Sequence, residues 1–319
     1  MREETNMVIY EYPKDRELNI HECVLALGFF DGVHIAHRDL LRRAREVAEQ
    51  RGLTFGVFTF ASKGNIKEGH ARLYDDKEKA EIFSSLGADF TLFADFSAIS
   101  GCSPEEFVTD ILCKQLNCRV CVAGFNFRFG KGAKAGSAEL SSIMSEAGGE
   151  AIICEEITAG DNTTLSATMI RGLILEGRIS EANELLGVPY YIKGRVLHGR
   201  SDGRKMGFPT VNIPIEEGKI VPRLGVYRSA IPIDSKIYIG ITNIGVCPTF
   251  ECREVHLETH ILGFDGDLYG RDIRIYLLDF MREERAFFSQ DELKMQITVD
   301  KNTAIEKNGD ITWQDLGLK

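Results

Sequence analysis

The chain has 319 residues, 44% hydrophobic and 27% charged, enough apolar material for two globular cores and too mixed for a disordered or fibrous chain. A net charge of −10 argues against broad binding to nucleic acid or an anionic membrane, which needs a basic surface that releases counterions. No apolar run reaches the about 18 residues of a membrane span, and the opening MREETNMVIYEYPKD lacks the apolar core of a signal peptide. A soluble, cytoplasmic protein with no nucleic-acid or membrane partner is expected.

The cysteines lack the dense spacing of a secreted disulfide scaffold, which fits a reducing compartment. Cys118 and Cys121 form a C-x-x-C inside the apolar run CRVCVAG. On a strand they would face opposite sides, so both are expected to be buried structural thiols.

From 23 to 157, short apolar runs alternate with stretches of helical periodicity, the pattern of a parallel sheet covered by helices. CVLALGFF, TFGVFTF, ADFTLF, CRVCVAG and EAIICEEI are the expected strands. AHRDLLRRAREVAEQRG, DDKEKAEIFSSLG, SPEEFVTDILCKQLN and SAELSSIMSEAGG are the expected helices. Ser103-Pro104-Glu105-Glu106 carries three start signals: Ser as N-cap, Pro in the first turn and Glu at the capping-box position.

GFFDGVHIAH, residues 28–37, follows the first of these strands, where an open parallel sheet gathers ligands and a helix N-terminus offers free N–H groups. Asp31-Gly32 predicts a tight turn, and His34 and His37 share one face of the opening helical turn. Two imidazoles there suit a phosphoryl group that gains negative charge during displacement, although a solvated helix start has the same pattern. No third ligand at ordinary spacing completes a metal site, and no G-x-x-x-x-G-K-[ST] loop is present.

GFNFRFGKGAKAG, residues 124–136, sets Arg128, Lys131 and Lys134 among Phe125, Phe127 and Phe129. It predicts either a basic flap over a nucleotide or aromatic ring, or a plain surface loop. In LSATMIRG, Ser166, Thr168 and Arg171 fall at a helix start, again a geometry that suits phosphate. The helical stretch TMIRGLILEGRISEANELLG at 168–187 leads into Val188-Pro189, which places the domain boundary between 1–186 and 187–319.

Beyond it, YYIKGRVLH, GFPTVNI, GVYRSAIPI, KIYIGITNI, EVHLETHIL and DIRIYLLDF follow one another without crossover helices. That order predicts an antiparallel six-stranded barrel, closed by a terminal helix from Ser289 with Glu292 at its capping-box position. In GRSDGRKMGFPTVNI, Gly199, Gly203 and Gly207 let backbone approach phosphates, while Thr210 and Asn212 face the same way along a strand. Both are oxygen donors of the kind Mg²⁺ prefers; a Gly-Pro turn before a strand is the plainer reading.

Taken together, and in this order over nearly the whole chain, these segments resemble the bifunctional bacterial riboflavin kinase/FAD synthetase family. The resemblance implies an α/β plus β chain: a Rossmann-like FMN adenylyltransferase of the H-x-G-H nucleotidyltransferase superfamily, then a riboflavin kinase barrel. His34 and His37 would stabilise the α-phosphate of ATP as FMN attacks and pyrophosphate leaves. Gly28, Phe30, Asp31, Gly32, Thr168 and Arg171 would line the ATP phosphates, and Asn126 and Arg128 would contact the flavin.

GRSDGRKMGFPTVNI resembles the kinase signature G-F-P-T-x-N. It implies that Gly199, Gly203, Gly207, Pro209 and Thr210 meet ATP, with Mg²⁺ on Thr210 and Asn212. HLETHILGFDGDLYGRDI resembles an E-x-H stretch and implies that Glu258 is the general base for the riboflavin 5′-hydroxyl. GVYRSA and NIGVCPTF match in order, and Arg282 stands where the family has an arginine near the flavin. Riboflavin, FMN and ATP are the implied ligands.

Three departures touch the adenylyltransferase half: Ala36 for the Gly of H-x-G-H, TFASKGN for a T-F-x-P-H-P stretch, and Ala167 where a second Ser is common. Three arrangements therefore stay open: a bifunctional enzyme, a riboflavin kinase with a degenerate first domain, and a non-catalytic flavin-binding regulator. Retention of Thr210, Asn212 and Glu258 argues against the last, because a binder needs no base at the hydroxyl.

Overall fold

The computed structural model describes residues 7–15, 18–62, 71–158, 164–198, 207–248, 253–307 and 311–318. Gly199, Gly203 and the end of the TFASKGN stretch lie outside them. The chain divides into two compact units, Met1–Ser166 and Ala167–Lys319.

The first unit is built on a six-stranded sheet in the order β1-β4-β3-β2-β5-β6, with every pairing parallel. The strands are β1 (Val8–Tyr12), β2 (Cys23–Leu27), β3 (Thr54–Phe60), β4 (Phe90–Ala94), β5 (Cys118–Gly124) and β6 (Glu150–Cys154). β2 and β4 are buried at every position, as central strands of a helix-covered parallel sheet must be, hence their continuous apolar runs. β1 was not among the expected strands. It is an edge strand on β4, with Val8 and Ile9 exposed, so its run is short and its pattern is that of a surface segment.

Helix α1 (Ile35–Arg51) buries Leu40, Leu41, Ala44, Val47 and Ala48 along one face and stops at Gly52, whose left-handed φ of 67° a side chain would resist. Helix α2 (Asp76–Ser85) opens with a full capping box between Asp75 and Glu78. Short α3 (Phe96–Ile99) follows β4. The Ser103 start behaves as its sequence predicts: Glu106 N–H donates to Ser103 Oγ and Ser103 N–H to Glu106 Oε2. The helix it opens winds as a π-helix over Glu106–Gln115. Helix α4 (Ser137–Glu146) precedes β6.

Cys118 and Cys121 are buried as expected, but not on opposite faces. The register between β2 and β5 slips, so that Cys23 faces Cys118 while Val24 faces Val120. Arg119 is the extra residue of a bulge, and both thiols enter one core cluster with Cys23. Burial pushes both thiols well above their ordinary range, which makes them inert.

The second unit begins with two helices, α5 (Ala167–Glu176) and α6 (Ile179–Leu186), where the sequence suggested one. Gly177, at φ 79°, breaks the run. Both pieces pack on the barrel: Arg223 N–H donates to Ile174 O, and Asn183 Nδ2 to Leu277 O. Residues 167–186 therefore group with the second sheet, ahead of the boundary read from the sequence.

The barrel strands are β7 (Tyr191–Arg195), β8 (Thr210–Pro214), β9 (Gly225–Ile233), β10 (Lys236–Pro248), β11 (Arg253–Ile261) and β12 (Asp272–Arg282). They pair antiparallel in the order β7-β12-β9-β10-β11-β8. A bond from Leu197 N–H to Asn212 O, just past β7, nearly closes the ring. Ser229, Thr242 and Thr259, all fully buried on neighbouring strands, satisfy one another in a hydroxyl ladder at 2.7 and 2.9 Å.

Terminal helix α7 (Gln290–Glu306) starts at Ser289, whose hydroxyl accepts from Glu292 N–H. It is fastened to β12 by a part-buried ion pair, Arg282 Nη2 to Asp300 Oδ2 at 2.8 Å, with Gln296 Nε2 also donating to Asp300. Replacing Asp300 by Ala strands the guanidinium; a loss of about 3 kcal/mol is expected, read as a lower denaturant midpoint for the second unit. An unchanged midpoint would show that the pair does not hold α7.

Candidate active sites

In the first unit the chain visits β2, β3 and β4 on one side, then β5 and β6 on the other, so the strand order reverses between β2 and β5. Ligands of open parallel sheets collect at such reversals, beyond the carboxyl ends of the strands. Leu27 pairs with Ala123, so GFFDGVHIAH and GFNFRFGKGAKAG leave the sheet side by side. The sequence placed each at a strand end; only strand order places them together.

The turn after β2 is tightly wound. Phe30, Gly32 and Val33 all take left-handed backbone, at φ 50°, 78° and 40°, and two of these are side chains that ordinarily avoid it. A methyl at Gly28 would stand 2.8 Å from the Phe30 ring, so Gly28 is required where the fully buried Phe30 turns back. Thr59 Oγ1, donating to Phe29 O at 3.0 Å, ties the turn to β3.

His34 caps α1: its Nδ1 accepts from His37 N–H at 3.4 Å, which leaves Nε2 as its donor. The two rings stack at 3.6 Å with 16° between planes. Burial lowers His34 to about 4, and burial, then the His34 charge, holds His37 well below its ordinary 6.5. Nδ1 of His37 is buried without a hydrogen-bond partner. The pair is thus neutral near pH 7, and an arriving anion would favour its charged form.

The glycine-rich segment is less uniform than its sequence suggests. Phe129 is a core residue stacked on Phe127 and tilted against Phe107, while Phe125 is 42% exposed. Only Phe125 of the three is free to lie over a ligand. Asn126 and Arg128 are exposed, and Arg128 lies over the start of α4, where a methyl on Gly136 would come within 3.0 Å of its Nη1.

In the second unit, Thr210 Oγ1 donates to Glu258 Oε1 at 2.7 Å. Glu258 pairs in register with Asn212 on β8 and with Asn243 on β10, so the three side chains form a row on one face of three strands. His260 Nδ1 contacts Pro209 O at 2.8 Å and fixes the turn at Gly207-Phe208-Pro209. Thr210 keeps oxygen lone pairs after donating its proton, and Asn212 offers a carbonyl oxygen. The donors beside Glu258 are therefore hard oxygens, a set that fits Mg²⁺.

Asn243, which donates to Glu284 at 3.0 Å, was not a sequence candidate. The order NIGVCPTF was visible, but its alignment with Glu258 is set by register alone. Thr168 and Arg171 contact each other at the start of α5, Nη2 to Oγ1 at 3.0 Å. Arg282, expected at the flavin, spends its guanidinium on Asp300 and on Glu283 O.

A riboflavin kinase family model matches residues 186–307, and an FAD synthetase model matches 16–168. The bifunctional riboflavin kinase/FMN adenylyltransferase of Listeria monocytogenes is 36% identical over 287 residues, 87% of this chain and 90% of that protein. The enzyme of the same name from Bacillus subtilis is 34% identical over 295 residues, covering 89% and 92%. A solved structure described as a macrolide-efflux protein from Streptococcus pneumoniae aligns with a TM-score of 0.84 at 29% identity, over 95% of this chain and 100% of that one. That likeness carries the fold; among the described residues no helix is long and apolar enough to cross a membrane. With both family models in chain order and relatives matched along nearly their whole length, the chain belongs to the bifunctional riboflavin kinase/FMN adenylyltransferase family.

Proposed function

We propose that Glu258 and the His34–His37 pair are the groups that carry this chain's two reactions in FMN and FAD biosynthesis. The observation that bears most weight is the Thr210–Glu258 bond beside Asn212, because it sets a carboxylate next to oxygen donors that would hold Mg²⁺. We assign the adenylyltransferase to residues 1–186 and the kinase to 187–319, in the cytoplasm, with riboflavin, FMN and ATP as ligands.

In the kinase, the riboflavin 5′-oxygen attacks the γ-phosphorus of ATP, the bond to the ADP oxygen breaks, and the hydroxyl proton passes to Glu258. Thr210 occupies Oε1 of Glu258, which leaves Oε2 to take that proton. Thr210 and Asn212 would hold Mg²⁺, which when bound draws charge from the transferring phosphoryl group. Gly207 and Pro209 shape the turn that meets the phosphates, with Gly199 and Gly203 assigned there by sequence.

In the adenylyltransferase, an FMN phosphate oxygen attacks the α-phosphorus of ATP and pyrophosphate departs. Nε2–H of His34 donates to the oxygens that gain charge, with His37 beside it. Gly28, Phe30, Asp31 and Gly32 form the wound turn that lets backbone approach the phosphates. Asn126, Arg128 and exposed Phe125 stand at the neighbouring strand end, where they would meet the flavin. Thr168 and Arg171 keep their assignment to phosphate, and Arg282 to the flavin, from the family pattern. Ala36 lies within α1 on helical backbone that accepts a side chain, which favours a working site over a remnant.

Purified protein given riboflavin, ATP and Mg²⁺ is expected to form FMN and then FAD, separated by chromatography at successive times. FMN without FAD would reduce the first domain to a remnant. Glu258→Gln is expected to lower kcat for FMN formation by about 10²–10⁴ while riboflavin still binds. Unchanged turnover would remove Glu258 as the base.

The histidine pair also predicts a pH dependence. An imidazole held at about 4 in the fold and near 6.5 when unfolded contributes stability that is present above pH 6.5 and lost as pH falls through 4. For His34 the full loss is about 3 kcal/mol. Hydrogen exchange of β2 and α1 amides between pH 7 and 4 should show that decline, and His34→Gln should flatten it. An equal slope in the variant would mean that the imidazole is not held neutral.

A further inference from the structure

The carboxyl end of the first sheet contains a buried cation to which the family pattern gave no role. Lys79, on α2, is 2% exposed. Its Nζ lies 3.3 Å from Phe60 O, where β3 ends, and 3.4 Å from Asp76 Oδ1. The same ammonium stands 5.6 Å from the ring centres of Phe29, just past β2, and Phe93, near the end of β4. One charge therefore meets the chain as it leaves three adjacent strands.

Asp76 is itself a clamp. It accepts from Ser62 N–H at 2.9 Å and from Ser62 Oγ at 2.6 Å. Ser62 belongs to the TFASKGN stretch that replaces T-F-x-P-H-P, so here a bonded chain Lys79–Asp76–Ser62 anchors a segment that lacks the family's prolines. Burial works against the Lys79 charge, and Asp76, Asp31 and Asp75 work for it. A buried ammonium costs several kcal/mol unless it is paired, and an apolar side chain of similar length would fill the space at less cost.

We propose that Lys79 is a positioning residue of the adenylyltransferase site: it holds the Asp31-Gly32 turn and the Ser62–Asp76 clamp in place, and offsets their carboxylates where the ATP phosphates arrive. Without it, Asp76 loses its paired cation at the strand end, and the negative charge of Asp31, three residues before His34, loses one compensating charge. The tetraanionic nucleotide is then repelled, and the turn that aims His34 loses its support. The inference rests on the adenylyltransferase reading of this unit.

The test uses the full chain as wild type, Lys79→Met and the double variant D76N/K79M, which removes the Lys79–Asp76 ion pair as a whole. FAD formation from FMN is measured against ATP concentration, and FMN formation from riboflavin in parallel. Hydrogen-exchange protection of β2 amides reports folding. Expected is a tenfold or greater fall in kcat/KM for ATP in FAD formation, carried mainly by KM, in both variants, with FMN formation within twofold of wild type. Wild-type FAD kinetics in either variant would overturn the proposal. So would loss of β2 protection in D76N/K79M, which would make Lys79 a stability residue. If the wild type itself forms FMN and no FAD, the adenylyltransferase reading fails first and the proposal falls with it.

Discussion

The reversal of strand order between β2 and β5 is the constraint on which the first site depends. Crossover helices cover both faces of the sheet, but they cannot cover the gap where one set of crossovers turns away from the other. Two segments with little sequence in common are therefore delivered to one crevice, the wound turn at Phe30–Val33 and the glycine-rich segment after Gly124. α1 begins at that crevice, so the positive end of its dipole and the first turn capped by His34 face the same place as His34 and His37. Left-handed backbone at Phe30 and Val33 costs energy that the packing of the fully buried Phe30 against His37 and Phe83 offsets.

In the second unit the ordering principle is register. An antiparallel barrel with a period of two brings residues from β8, β11 and β10 onto one face only if every pairing keeps step. The row Asn212–Glu258–Asn243 exists because Glu258 is opposite both asparagines. One residue of slip in β11 would turn Glu258 inward, among positions now held by Leu257 and Thr259, both fully buried. The hydroxyl ladder of Ser229, Thr242 and Thr259 resists such a slip, since each of its members would lose its buried partner. A polar core element thus fixes the geometry of a polar site on the opposite face of the same strands.

Local signals in the sequence gave the architecture well and the convergence of the sites poorly. Alternation of strand-like and helix-like runs located β2 to β6, and the Ser103 and Ser289 caps marked true helix starts. β1 escaped because an exposed edge strand has no buried run to announce it. The bulge at Arg119 escaped because the pattern of CRVCVAG is the same with or without an extra residue. Gly177 could have been read as a break, but glycine inside a periodic stretch is often tolerated. Phe129 was read by residue type, as an aromatic for a ring, and the fold packed it against Phe107 in the core. Lys79 lay within DDKEKAEIFSSLG as one charge among several, and nothing local separates it from exposed Lys77. Its burial arises where α2 crosses the ends of three strands.

The two sites treat charge in opposite ways, and the difference follows from burial. Glu258 is exposed, so its carboxylate is solvated and needs only the Thr210 bond and strand register to be aimed. The histidines are not: their rings are packed together at the helix start, and two protonated imidazoles at 3.6 Å would repel strongly in a partly desolvated pocket. A doubly charged pair is therefore disfavoured until an anion is present. Under the role proposed for the pair, its positive charge would be completed by the anion that binds beside it. Lys79 fits the same logic from the other side. It is a cation already offset by carboxylates, so it adds no standing positive charge beside the histidines.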